Sequence, residues 1–192
     1  MDVIEATAHR LGAPLLAYGQ HWHAAPERDG MIFQDDNGLL DLPRPVLPGA
    51  HQIMNAGAAL AVLRYLGVPS AACEAAVTNA TWPARMQRLR HGPLIEAAGS
   101  AELWLDGGHN PAAGEALAEH LGTLQERPTW LICGMLNTKD IGGYMRPVAR
   151  AADGLVAVSI PGEANTLPAE TTADAAQAAG LTAGVAADVH AA

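Results

Sequence analysis

Asp106 and His109 put a carboxylate and an imidazole three residues apart, with Gly107-Gly108 between them and Asn110-Pro111 after. The run Leu103-Trp104-Leu105 before them is short and apolar, which suits a buried strand. From Ala112 to Leu121 the apolar residues recur at helical spacing, so Asn110 is read as the N-cap and Pro111 as the first helical residue. A strand that ends in an acid and passes through glycines into a helix is how open α/β sheets build ligand sites. The carboxyl end of the strand faces the ligand, and the helix N-terminus offers N–H groups to an anion or a ribose hydroxyl. Asp106 and His109 are therefore the first candidates for chemistry. The plainer alternative is that Asp106 caps the turn and His109 is an ordinary loop residue.

Two more positions carry polar groups in suggestive settings. In the run from His51 to Leu66, His51 and Asn55 stand one helical turn apart on one face of an otherwise Ala-rich, apolar segment. Asn55 there costs helix propensity and desolvation unless its amide has a partner, either a ligand or a neighbouring loop. Arg85 follows Thr81-Trp82-Pro83, where proline restricts itself and the residue before it. Its fork of donors suits phosphate, while the nearby Arg88 and Arg90 allow a plain surface role. A metal hydrolase built from His51, His109 and Asp106 is not expected, since no H-E-x-x-H or similar paired spacing is present.

The elements that must position these groups follow from periodicity and turn signals. A helix up to Gly12 leads into a strand at 14–18. Asp29-Gly30 and Asp36-Asn37-Gly38 punctuate short strands and predict a hairpin-like insertion, followed by a rigid, extended lead-in at Pro43, Pro45 and Pro48-Gly49. A helix over 51–66 stops at Gly67, and a second short helix spans 69–79. The domain boundary is expected near Ala80. Residues 86–90 and 94–97, joined through His91-Gly92, read as a second hairpin. Strands at 130–135 and 154–160 alternate with helices at 141–152 and 171–179. From Ala101 onward this alternation predicts a mostly parallel sheet with helices on both faces.

Composition bounds the rest. The 192 residues are 49% hydrophobic, and with a mean hydropathy of +0.08 the chain is not disordered. No apolar run approaches the ~20 residues that span a bilayer, and Met1-Asp2-Val3-Ile4-Glu5-Ala6 has no signal-peptide pattern. Two cysteines, Cys73 and Cys133, are too few for a disulfide framework, so a reduced, cytoplasmic setting is expected. A net charge of −9 argues against a nucleic-acid surface. Lys139 is the only lysine.

Four pieces in order resemble the folylpolyglutamate synthase/dihydrofolate synthase family, within the Mur ligase superfamily. They are Pro48-Gly49-Ala50-His51-Gln52-Ile53-Met54-Asn55-Ala56, Thr81-Trp82-Pro83-Ala84-Arg85-Met86-Gln87, Asp106-Gly107-Gly108-His109-Asn110-Pro111 and Gly134-Met135-Leu136-Asn137-Thr138-Lys139-Asp140. The peptidoglycan Mur ligases have a Tyr-Ala pair where this chain has Gly107-Gly108, and lack the Asn-Pro after His109, so the folate branch is the closer match. The resemblance implies a Rossmann-like C-terminal ligase domain over residues 81–192. Before it, residues 1–80 would be the C-terminal remnant of a P-loop ATPase domain, with its apolar faces partly exposed.

The resemblance further implies an ATP-dependent ligase acting with magnesium. ATP phosphorylates the carboxylate of dihydropteroate or a reduced folate, and the amino group of L-glutamate attacks the acyl phosphate. Asn55 would touch the adenine side of ATP, Arg85 a phosphate across the domain hinge and Asp106 the ribose hydroxyls. His109 would line the nucleotide or substrate cleft. Lys139-Asp140 is read as structural, and no residue within the 192 is expected to be catalytic. The family has glycine where this chain has Ala84, and alanine where it has Gly108. No G-x-x-x-x-G-K-[ST] occurs in the sequence, so the phosphate cradle and the magnesium ligands are expected upstream of Met1. The parent would be a monomer, and this stretch alone would not turn over. The alternative is a non-catalytic Rossmann-like module that binds a nucleotide or a partner.

Overall fold

A computed structural model describes residues 1–124 and 127–192. The chain divides into two compact units, Met1–Trp82 and Pro83–Ala192.

The first unit begins with α1 (Asp2–Leu11), closed by Gly12 in the left-handed conformation at φ 61°. α1 has no buried residue, and Val3 is 80% exposed. The strand expected at 14–18 does not form; only an isolated bridge joins Tyr18 to Trp22. Side chains satisfy this backbone instead. Ala17 N–H donates to His21 Nδ1, and Leu16 O accepts from the Trp22 indole, both at 3.0 Å.

Three strands follow, not two: β1 (Trp22–Glu27), β2 (Gly30–Asp35) and β3 (Gly38–Pro43) form an antiparallel meander. The third strand takes in residues up to Pro43 that the sequence assigns to the extended lead-in. Its register, Met31 opposite Leu42 and Phe33 opposite Leu40, places the apolar residues of the two strands together. α2 (His51–Tyr65) and α3 (Ser70–Asn79) complete the unit. Gly57 lets α2 press on β1, since a Cβ there would stand 2.6 Å from the Trp22 ring. Phe33, Met31 and Leu60 are fully buried in the resulting core. Arg64 on α2 makes a two-pronged ion pair with Asp35 at the end of β2, at 2.8 and 2.9 Å.

The second unit is α/β. β4 (Gln87–Arg88) pairs antiparallel with β5 (Trp104–Leu105), while β6 (Trp130–Cys133), β7 (Gly154–Ala157) and β8 (Ala183–Val185) make a parallel sheet in that order. The hairpin expected over 86–97 is not formed. Residues 93–98 are instead a short helix, α4 (Pro93–Ala98), with proline at its first turn. Proline is at home at a helix start and cannot donate to a strand ladder, so β4 finds its partner sixteen residues further on.

The segment before Asp106 is likewise a two-residue strand with Leu105 45% exposed, rather than a buried one. α5 (Pro111–Thr123), α6 (Ile141–Val148) and α7 (Ala169–Ala178) are the helices of the α/β alternation. α6 ends at Val148, short of the expected 152, where i→i−3 bonds from Arg150 to Pro147 O and from Ala151 to Val148 O replace the α-helical ladder with turns. The core gathers Met135, Met145, Val148, Leu155, Ala157 and Ala176 from helices and sheet. Among the described residues no helix is long and apolar enough to cross a membrane.

Candidate functional site

The loop after β5 and the segment before β4 are tied together by backbone and carboxylate. Asp106 Oδ1 accepts the N–H of Gly108 at 2.7 Å, and Oδ2 accepts that of Met86 at 2.9 Å. Gly107 N–H donates to Ala84 O at 2.9 Å, and Ala84 N–H to Gln87 Oε1 at 3.1 Å. Arg85 lies in the middle of this lacing.

Its neighbours are strained. Ala84 has φ 54° and Met86 φ 42°, two of the three non-glycine residues with positive φ among those described. Left-handed backbone at a residue with a Cβ costs roughly 1–2 kcal/mol, and it persists only where surrounding bonds over-determine it. Here they do. A conformation that glycine adopts freely is held in an alanine by Gly107, Gln87 and Asp106.

Arg85 itself is exposed, and its Nη1 donates to Ala84 O at 3.0 Å. The guanidinium lies over Gly107, where a Cβ would come within 2.9 Å of Nη1. No ion pair joins Arg85 to any acid among the described residues, so most of its donor fork is free. Asp106, half-buried, has used one lone pair on each oxygen and keeps one on each. Its role as a cap of the turn is thus real and leaves acceptor capacity over.

His109 is exposed, with Nδ1 donating to Gly107 O at 3.0 Å, which leaves Nε2 as the free acceptor. Asn110 caps α5 through Oδ1, which accepts from Ala113 N–H at 2.9 Å. Pro111 has no N–H and Gly114 N–H closes on Asn110 O. Of the first-turn amides of α5, that of Ala112 is therefore left without a partner among the described residues. Lys139 is half-buried, and Asp140 caps α6 by accepting from Gly143 N–H at 2.8 Å.

Asn55 lies in the first unit, on the exposed side of α2. Its amide donates to Gln52 Oε1 at 3.0 Å, and Gln52 Nε2 donates to His51 Nε2 at 2.9 Å. The amide's protein partner is a buried glutamine one turn back rather than a neighbouring loop, and the amide oxygen of Asn55 accepts no bond among the described residues. Gln52 is a residue that the sequence reading missed. Its i, i+3 spacing to Asn55 was the available signal.

Tyr144 was missed too. It is buried beside the loop, with Cε2 3.4 Å from where a Cβ on Gly108 would stand. The same Cβ would lie 2.8 Å from Asp106 Oδ1 and 3.1 Å from Ala113 Cβ, so a larger residue at 108 would press on the carboxylate of Asp106. Burial pushes the Tyr144 phenol above its ordinary range, with Cys133 and Asp106 adding to the effect. Burial alone pushes the Cys133 thiol up to about 11. The second unit thus brings Arg85, Asp106 and His109 to one loop cluster. Among the described residues no three His, Cys, Asp or Glu side chains gather as a metal site.

Residues 84–192 match the family model described as Mur ligase, glutamate ligase domain. Over 97 residues the chain is 33% identical to a probable bifunctional folylpolyglutamate synthase/dihydropteroate synthase of Halobacterium salinarum, covering 50% of this chain and 11% of that protein. It superposes on E. coli FolC in complex with DHPP and ADP with a TM-score of 0.80 and 26% identity, over 98% of this chain and 42% of the other. A bifunctional folylpolyglutamate synthase/dihydrofolate synthase with Mn, AMPPNP and L-glutamate bound gives a TM-score of 0.80 and 27% identity, over 98% and 42%. The chain spans about a tenth of the curated relatives it matches and less than half of these solved chains.

Proposed function

We propose, from the premise that this chain belongs to the Mur ligase family through its glutamate ligase domain, that it is part of an ATP-dependent folate–glutamate ligase. The reaction joins L-glutamate to dihydropteroate or a reduced folate. The substrate carboxylate takes the γ-phosphoryl group of ATP, and ADP leaves. The glutamate amine attacks the acyl carbon, loses a proton and expels phosphate, leaving an amide. The relatives' bound ADP, AMPPNP, L-glutamate and DHPP support these substrates.

One observation carries the reading: Arg85 stands between two strained left-handed residues that Asp106 and Gly107 hold in place. Strain stored around an exposed arginine with a free donor fork is what a pre-set oxyanion contact requires. In our reading Arg85 meets a phosphate of ATP, where stabilising transferred charge is chiefly electrostatic work. Asp106 receives ribose hydroxyls on its two spare lone pairs. His109 offers Nε2 to nucleotide or substrate, and Asn55 offers its open amide oxygen to the adenine amine. Magnesium would be held mainly by the phosphates of ATP and by residues outside the described set, and no step is assigned to it here. No P-loop motif occurs in the 192 residues, and we expect no turnover without a polypeptide that supplies it. Residues 1–80 are read as belonging to the ATPase domain of such a ligase, and residues 81–192 as its C-terminal domain.

The test is ligation of glutamate to dihydropteroate or tetrahydrofolate, measured with ATP and magnesium. The 192-residue chain alone should be silent. The chain joined to a P-loop-bearing N-terminal part should turn over and lose that activity with Arg85→Ala. Turnover by the 192 residues alone, or full activity of the Arg85→Ala ligase, overturns the proposal. Nucleotide binding without ligation by the joined protein would favour a non-catalytic module instead.

A further inference from the structure

The chain carries eleven cationic side chains against twenty acidic ones. Three arginines, Arg88, Arg90 and Arg127, nevertheless line one cavity of about 300 Å³ in the second unit, and Glu102 is the one carboxylate among the described residues that line it. Arg88 Nη2 and Arg127 Nη1 both reach the same oxygen of that carboxylate, Oε1, at 2.9 and 3.1 Å. Arg90 makes no side-chain hydrogen bond or ion pair among the described residues. Ser100 and the apolar Ile95 form other parts of the wall.

This cavity is apart from the Asp106 loop. Arg88 pairs with Trp104, and Leu89 N–H continues the ladder to Leu103 O, so the chain runs from Asp106 back to Glu102 along an extended segment. At ~3.3 Å per residue the four-residue separation is about 13 Å.

We propose that the cavity is a binding site for a small dianionic oxyanion, a phosphate group or a dicarboxylate. Among the described lining residues, three guanidinium groups stand against one carboxylate, an excess of two positive charges in a protein whose net charge is −9. One oxygen serves two guanidinium groups, so most of their N–H donors, and all of those on the Arg90 side chain, have no protein acceptor among the described residues. Guanidinium donors form a rigid planar fork that matches carboxylate and phosphate oxygens two at a time. Bringing like charges together along one open, concave wall is unfavourable until an anion enters. A dianion balances the lining. The proposal stands independently of the ligase reading.

The experiment is a backbone and arginine side-chain ¹H–¹⁵N NMR titration of the 192-residue chain. Inorganic phosphate and glutarate are the two probes, each taken to roughly 20 mM at fixed ionic strength and pH 7, a range set by the screening of half-exposed charges. Saturable shifts at Leu89, Arg90 and residues 100–103 are expected with at least one probe, and which probe binds identifies the source of the oxyanion. Arg90→Gln, which leaves both Glu102 ion pairs in place, should weaken binding at least about fivefold, the effect of one lost charge-assisted contact. Arg127→Gln should weaken it too, and serves as the second variant should the first misfold. The proposal is overturned if neither probe saturates at these amides. It is equally overturned if a folded Arg90→Gln or Arg127→Gln chain binds like the parent, or if the shifts fall at residues 107–109 alone.

Discussion

The carboxylate of Asp106 accepts the backbone N–H of Met86 at 2.9 Å, a bond that spans twenty residues of chain. It fixes the segment that carries Arg85 against the loop that carries His109. A side chain proposed to meet a ligand is thus also the clamp that shapes its neighbour.

Asp106→Asn should expose that double duty. The amide would present a donor to one of two N–H groups that now share a carboxylate, at a cost of about 1–3 kcal/mol. Urea unfolding of the second unit should show a lower midpoint with an unchanged slope. The amides of Met86 and Gly108 should lose hydrogen-exchange protection.

Arg85→Ala should separate stability from activity. The side chain is exposed and bonds only to Ala84 O, so unfolding should change by no more than about 0.5 kcal/mol. In a ligase that includes the P-loop part, kcat should fall on the order of 10²–10³-fold, the effect of removing one oxyanion donor. Arg85→Lys should restore part of it, because a point charge replaces a fork.

Ala84→Gly removes the strain of a Cβ at φ 54°. Glycine adds unfolded-chain entropy that offsets about 0.4–1 kcal/mol of the relief. The net expectation is a gain of about 0.5 kcal/mol, read as a melting temperature higher by roughly 1–3 °C. A lower melting temperature would mean that the alanine methyl packs usefully where it stands.

The Asp35–Arg64 pair makes the first unit acid-sensitive. The hydrogen bonds from Arg64 hold the Asp35 carboxyl below the ordinary carboxylate range, against the opposing effect of burial. With the folded value depressed, the stabilisation is complete above the unfolded value near ~3.9 and is lost as pH falls through the folded one. Both side chains are only 11% exposed, so Arg64→Ala should cost about 2–3 kcal/mol and leave Asp35 unpaired. The variant should also lose most of this acid dependence, as followed by far-ultraviolet circular dichroism between pH 2 and 5.

Cys133 and Tyr144 predict the opposite limit for the second unit. Both have raised folded values, with Cys133 at about 11. Their contribution is whole below the unfolded thiol value near ~8.5 and is lost as pH rises toward the folded ones. Unfolding free energy should therefore fall between pH 9 and 11, by on the order of 2–3 kcal/mol for the thiol. Cys133→Ser should flatten that slope. Native Cys133 should also resist thiol reagents at pH 8.

The sequence alone determined the α/β class, the alternation after Ala101, the Asn110-Pro111 helix start and the family resemblance. Each of these rests on local signals: caps, prolines, apolar periods and short motifs read within a few residues. Only tertiary structure decided which strand β4 pairs with, that 93–98 is a helix, and that β3 completes a meander. It also decided that Ala84 is forced left-handed and that Tyr144 backs Gly108. Such outcomes depend on contacts between segments ten to forty residues apart, whose free energies override weak local preference. The positive φ of Ala84 is held locally by Gln87, three residues on, and from across the fold by the carboxylate of Asp106 and the amide of Gly107, which no short-range pattern brings there.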